Sequence, residues 1–138
     1  MNGDDKMTKP TMTLTWDALA LHTAEHRPWT RVDEGMEMSI VGRDVKTGAT
    51  AMFQRAVKTK EPQREGKPHV HYVNCQTLVL SGALDVTFGT NKYTMKAGDY
   101  FRVPAGVQHS NSPVSDQVVM FTTTDGDPGI EFVSPVLQ

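Results

Sequence analysis

The chain has a single cysteine, Cys75, among its 138 residues. One thiol excludes an internal disulfide framework and fits a reducing compartment, so the cytoplasm is the expected address. Long apolar runs are missing too, and no stretch approaches the length of a membrane span. Nor does one sign of charge dominate. Lys and Arg total 14 against 16 Asp and Glu, for a formal net charge of −2. That balance offers no general attraction for nucleic acid or anionic membranes. The opening MNGDDKMTKPT is polar and mixed in charge, unlike a secretory signal or an amphipathic transit peptide, and reads as a loosely ordered lead-in. No internal repeat, low-complexity tract or interdomain linker follows. These absences leave one domain, with 38% hydrophobic residues available for its core.

What is present is mostly β-patterned. Residues 15–22 (TWDALALH) suit a short helix with Trp16, Leu19 and Ala20 on one side. Beyond them come short runs rich in β-branched and aromatic residues: 36–41, 49–57, 77–81, 83–88, 92–96, 100–103, 117–124 and 130–133. Gly, Pro, Asn and Asp punctuate these runs, and the polar stretch 58–68 reads as a loop between two strands. Strand side chains alternate with a period of two, so Leu84, Val86 and Phe88 share one face while Asp85 and Thr87 share the other. Many short strands with one apolar face predict an all-β sandwich or barrel with an inside. The expected organisation is an N-terminal extension over 1–35, packed on the barrel or on a partner, and a barrel over 36–138.

The stretch PHVHYVNCQ (68–76) carries the chemistry. On a strand, His69 and His71 point to one side with Cα atoms about 6.5–7 Å apart, a spacing at which two imidazoles converge on one ion. Asn74 is a weaker candidate, because the following turn redirects it. A third histidine, His109, follows the Pro-x-Gly turn of GDYFRVPAGVQH (98–109). His22 and His26 read as surface residues, since Arg27-Pro28 ends their segment, and Cys75 as a small packing hydrophobe.

These residues resemble the two motifs of the cupin superfamily, G-x5-H-x-H-x3/4-E-x6-G and G-x5-P-x-G-x2-H-x3-N. Gly98, Pro104, Gly106 and His109 match the second, with Pro113 standing at its final Asn. His69 and His71 match the first, Gln76 takes the glutamate position, Gly82 falls one residue early, and Gln63 stands where the upstream glycine belongs. The resemblance spans roughly residues 36–133. It implies a conical double-stranded β-helix, a jelly-roll barrel, with one divalent metal ion per chain (Fe, Zn, Mn, Ni or Co) held by His69, His71, Gln76 and His109. It also implies a homodimer and a small-molecule substrate, with no nucleic-acid or membrane partner.

With three histidines and a glutamate, a dication keeps a net charge of about +1, and with glutamine about +2. The less neutralised ion suits Lewis-acid chemistry on an oxygenated substrate better than cycling through a ferric state. Alternatively, Gln76 only hydrogen-bonds a water. A His-His-Gln-His set is similar to that of cupins which isomerise or ring-open sugar-derived and prephenate-derived keto compounds, including one acting on unsaturated uronates, and to that of a cupin hydroxynitrile lyase. Outside the motifs, TLVLSGALDV and DGDPGIEFVSP are similar to ChrR-type and acetylacetone-cleaving cupins. The expected function is therefore a metal-dependent isomerase, cyclase or lyase on a keto or hydroxy compound. A ferrous three-histidine dioxygenase cleaving a C–C bond and a non-catalytic binding cupin are the alternatives. Tyr72, Tyr100 and Arg55 are the expected catalytic candidates, with Tyr93 and Gln54 beside them. Arg55, if it faces inward, suits a carboxylate.

Overall fold

The structure, a computed structural model, describes residues 15–16, 19–60 and 66–129. Among the described residues nine strands run in order: β1 (Thr30–Asp33), β2 (Met36–Arg43), β3 (Thr50–Val57), β4 (Cys75–Ser81), β5 (Ala83–Phe88), β6 (Asn91–Lys96), β7 (Tyr100–Val103), β8 (Ser110–Pro113) and β9 (Gln117–Thr124). They form two sheets, one of six strands ordered β1-β2-β3-β9-β4-β7 and one of three ordered β6-β5-β8. Every pairing is antiparallel. This is the all-β architecture that the alternating runs predict, arranged as the jelly roll that the resemblance implies.

Three features differ from the expected strand map, and one expected strand is not tested. The described residues of 15–22 are not helical, residues 17–18 lie outside the described residues, and the one helical turn is a 3-10 turn at Ala24–His26. The expected strand 130–133 also lies outside the described residues. β1 falls within the segment expected as an extension and pairs with β2 as the sheet edge. It was illegible because only Val32 of TRVD is buried, which leaves no alternation to read. β8, SNSP, has no β-forming residues, and it is a strand because β5 supplies its partners from Leu84 to Thr87.

The core has two parts. Val79, Leu84, Val86, Phe101, Val103, Val118 and Met120 pack between the sheets. Val32, Met36, Met38, Met52 and Ala56 fill the space inside β1–β3, where unbranched methionines suit an irregular gap. Each fully buried aliphatic side chain contributes about 1.5–3 kcal/mol. Register aligns the inward residues in rows across the large sheet. Met38, Gln54, Met120 and Val79 make one row, Ile40, Met52, Thr122, Thr77 and Phe101 the next, and Thr50, Thr124, Cys75 and Val103 a third. The interior thus turns from thioether and aliphatic to hydroxyl and thiol toward one end.

Gly82 joins β4 to β5 and carries the chain from one sheet to the other. Its φ is +79°, and a Cβ there would lie 2.1 Å from the Gln117 carbonyl oxygen and 2.7 Å from Ser115 Oγ. Only glycine fits this corner.

Candidate metal centre

The three motif histidines meet at the polar end of the barrel. His69 is not on a regular strand. It forms an isolated antiparallel bridge with His109, in which the His69 N–H donates to the His109 carbonyl at 2.8 Å and the His109 N–H returns the bond at 2.9 Å. A reciprocal pair of this kind sets two residues directly opposite each other. Their rings consequently lie side by side, with centroids 4.3 Å apart. His71 is placed by the turn that precedes His109, because the Gly106 N–H donates to the His71 carbonyl at 2.8 Å. Its ring centroid lies 5.0 Å from that of His69 and 5.3 Å from that of His109.

One nitrogen from each ring falls within 4.8 Å of the others. That is close to the span of one ion coordinated at about 2.0–2.1 Å per nitrogen. The hydrogen bonds on the far side of two rings decide which nitrogen is offered. His69 Nδ1 lies 2.7 Å from the Lys67 carbonyl oxygen and His109 Nδ1 lies 3.0 Å from that of Val107. A carbonyl oxygen only accepts, so each Nδ1 donates to it and each Nε2 is the nitrogen left for an ion. Metal-binding histidines are held in this way by an outer shell of acceptors. The donor set therefore fits a divalent ion: three imidazoles, two of them oriented by a carbonyl acceptor. His109 is buried at 3% exposure and stacks on Phe88 at 6.0 Å between centroids.

A cavity of about 40 Å³ lies among His71, His109, Cys75, Gln54, Asn111 and the buried threonines Thr77, Thr122 and Thr124, closed on its apolar side by Met52, Phe101, Val103 and Pro128. Asn111 enters because it lies two residues after His109, so alternation turns both inward. Among the described residues that line the cavity, none is acidic and none is Lys or Arg.

The other sequence candidates lie elsewhere. Gln76, expected as the fourth ligand, is exposed on the outer face of β4, where its Oε1 accepts the Tyr100 hydroxyl at 2.8 Å. Thr77 beside it is buried, so the one-residue step turns the amide away from the rings. Tyr100 is held outside with Gln76, and Arg102 Nε donates to its hydroxyl at 3.0 Å. Tyr72 is 85% exposed, and Tyr93 is also on the surface. Arg55 faces outward. Its Nε donates to Glu37 at 2.7 Å, it forms an ion pair with that carboxylate, and its guanidinium lies 4.1 Å from the Trp29 ring centroid. The carboxylate partner expected of an inward Arg55 is thus a residue of the protein. Asn74 acts as a clasp: its N–H and side-chain amide donate to Asp125 at 2.9 and 2.6 Å, and its Oδ1 accepts the Ala105 N–H at 2.8 Å. Those two bonds from Asn74, the side-chain bond first, hold the Asp125 carboxyl below the usual carboxylate range. Of the non-histidine candidates, Gln54 lines the cavity.

Cys75 is the residue the motif reading passed over. It faces inward on β4, lines the cavity with His71 and His109, and sits outside the three-nitrogen cluster. The signal was available in the sequence. Counting three rather than four residues past His71 lands on Cys75, and six further residues then bring Gly82 into its place.

A family model for the cupin domain matches residues 56–125. No curated protein matches the sequence. Among solved structures, the chain is similar to KdgF from Halomonas sp., at 21% identity and a TM-score of 0.62, covering 75% of this chain and 92% of that one. It is similar to an RmlC-like cupin from Shewanella frigidimarina at 20% identity and a TM-score of 0.65, covering 83% and 95%. It is also similar to hydroxypropylphosphonic acid epoxidase from S. wedmorenis at 15% identity and a TM-score of 0.64, covering 85% and 64%. Likeness at these identities carries the fold.

Proposed function

The chain belongs to the cupin superfamily, and from that premise we propose that it is a metal-dependent enzyme acting on a small keto or hydroxy compound by isomerisation, cyclisation or elimination. One observation carries the reading: the His69, His71 and His109 rings converge beside a cavity whose described lining has no acidic residue. His69, His71 and His109 would hold a divalent ion. Such an ion supplies Lewis-acid polarisation of a substrate oxygen. Because the described residues offer no carboxylate there, the charge argument first attached to Gln76 holds without it, and the ion keeps about +2.

The remaining roles fall to residues of the cavity wall. The Lys67 and Val107 carbonyls orient the His69 and His109 rings. Met52, Phe101 and Val103 exclude water from the apolar side. Cys75 is the proton carrier in this reading, since apart from the imidazoles it is the described lining side chain that ordinarily exchanges a proton near neutral pH. The cavity of about 40 Å³ admits a reacting group rather than a whole sugar-sized molecule. The rest of the substrate lies toward the barrel mouth.

A second reading draws on the same geometry. With Gln76 turned outward, the site is a three-histidine set, which suits a ferrous dioxygenase cleaving a diketone or hydroxyketone. Two measurements on metal-loaded protein separate the readings. Deuterium from solvent should enter positions next to the carbonyl of candidate ketones without oxygen consumption. Oxygen uptake by the iron-loaded protein, with no exchange, would replace the first reading by the second.

A further inference from the structure

We infer that Gln54 is the specificity-determining residue of this cavity, presenting its amide N–H groups to an acceptor oxygen of whatever ligand enters beside the histidines. The inference rests on the metal-site reading above. It begins with proton counting along a buried chain. Thr122 Oγ1 lies 2.7 Å from Gln54 Oε1 and 2.9 Å from Thr77 Oγ1. Thr77 and Thr122 are 6% and 5% exposed.

Two directions are available to such a chain. In one, Thr77 donates to Thr122, Thr122 donates to the amide oxygen, and both hydroxyl protons are used. In the other, the amide nitrogen donates to Thr122, Thr122 donates to Thr77, and the Thr77 proton is left in the interior without an acceptor. An unsatisfied buried donor costs about 1–3 kcal/mol, so the first direction prevails. Gln54 Oε1 is thereby occupied, and its –NH2 group remains for the cavity that Gln54 lines.

Two threonines thus act as positioning residues that turn an ambiguous amide into a fixed donor. A fixed donor selects by chemistry. It favours a carbonyl, enolate or alkoxide oxygen and disfavours an alkyl or ammonium group at the same place. Because the described lining has no cationic side chain, the Gln54 amide recognises an oxygen there without adding charge. It enters by register alone, opposite Met38 and Met120 in a row that is otherwise thioether and aliphatic.

Cobalt(II)-loaded protein, followed by its visible absorption while acetohydroxamate is added, provides the test. Gln54→Glu keeps the side-chain shape and the bond from Thr122 but offers an acceptor in place of a donor. Gln54→Met removes the donor without adding charge. Both variants should bind acetohydroxamate about tenfold more weakly than the parent protein, the value of roughly one hydrogen bond. Imidazole, which has no oxygen for the amide to meet, should bind the parent and Gln54→Met equally. Thr77→Val should fall between parent and Gln54→Met with acetohydroxamate, since the amide is then free to turn. Unchanged acetohydroxamate affinity in both Gln54 variants that still take up cobalt overturns the Gln54 assignment and leaves the metal site standing. Failure of the parent protein to take up cobalt overturns both readings.

Discussion

The two faces of β4 share a backbone and differ in nearly everything else. Cys75, Thr77 and Val79 point inward, toward the histidines, the hydroxyl chain and the apolar core in turn. Gln76, Leu78 and Leu80 point outward, where Gln76 joins Tyr100 and Arg102 in a chain of hydrogen bonds beside a groove of about 520 Å³. Each face carries a polar group near the same height of the barrel, yet Cys75 shares a cavity with His71 and His109 while Gln76 is exposed and bonded to Tyr100. In a strand, a shift of one residue is a change of compartment. Any function assigned from residue type and spacing therefore depends on the phase of the strand.

Substitutions on neighbouring positions break or sharpen this contrast. The largest difference should come from packing. Leu84→Ala, on the inner face of β5, should cost about 2–5 kcal/mol in urea unfolding, as buried leucines do. Leu80→Ala, half-exposed on the outer face of β4, should stay within about 0.5 kcal/mol. Comparable losses would mean that the outer face is covered, as in the homodimer the resemblance implies. A smaller difference should appear between adjacent threonines of one hydrogen-bonding character. Thr77→Val removes a donor from the buried chain and should cost about 1 kcal/mol. Thr123→Val, outward on β9 and opposite Gln76, should cost less than half of that.

The smallest effect concerns the clasp at the barrel mouth. The bonds from Asn74 lower the Asp125 carboxyl relative to the unfolded chain. A carboxyl held low stabilises the fold above its ordinary pKa, and that contribution is lost as the pH falls through the lowered value. Melting temperatures of the parent protein and Asp125→Asn should accordingly differ slightly at neutral pH and converge in acid. A gap that widened in acid would contradict the sign. Because Asp125 is exposed, solvent screening keeps this contribution small.

Much of this was legible in the sequence, for identifiable reasons. Strands β2–β7 and β9 showed because they are short runs rich in β-branched and aromatic residues, punctuated by Gly, Pro, Asn and Asp. The histidine cluster showed because histidine is scarce in the chain and three of its five copies fall at motif positions. Gln76 was misread for a physical reason. The motif tolerates three or four residues before its acid, and residue type preferred the amide, whereas strand phase selects the thiol at Cys75. Arg55 was misread because a strand with Phe53, Arg55 and Val57 on one face and Met52, Gln54 and Ala56 on the other has apolar residues on both sides. Only the partners, Glu37 and Trp29 outside and the barrel core inside, fix which face is buried. Gln54 enters the cavity by register with distant strands, which no local pattern encodes, whereas Asn111 follows His109 at the spacing that strand alternation turns inward.

The central claim is that the inner face of this barrel end binds a dication and the outer face takes no part. Elemental analysis of protein purified without chelators, compared among the parent, His109→Ala and Gln76→Ala, tests it most directly. The account predicts about one divalent ion per chain in the parent and in Gln76→Ala, and a loss of more than about 100-fold in affinity in His109→Ala, beyond the usual cost of an outer-shell change. Metal lost from Gln76→Ala and kept in His109→Ala would contradict it.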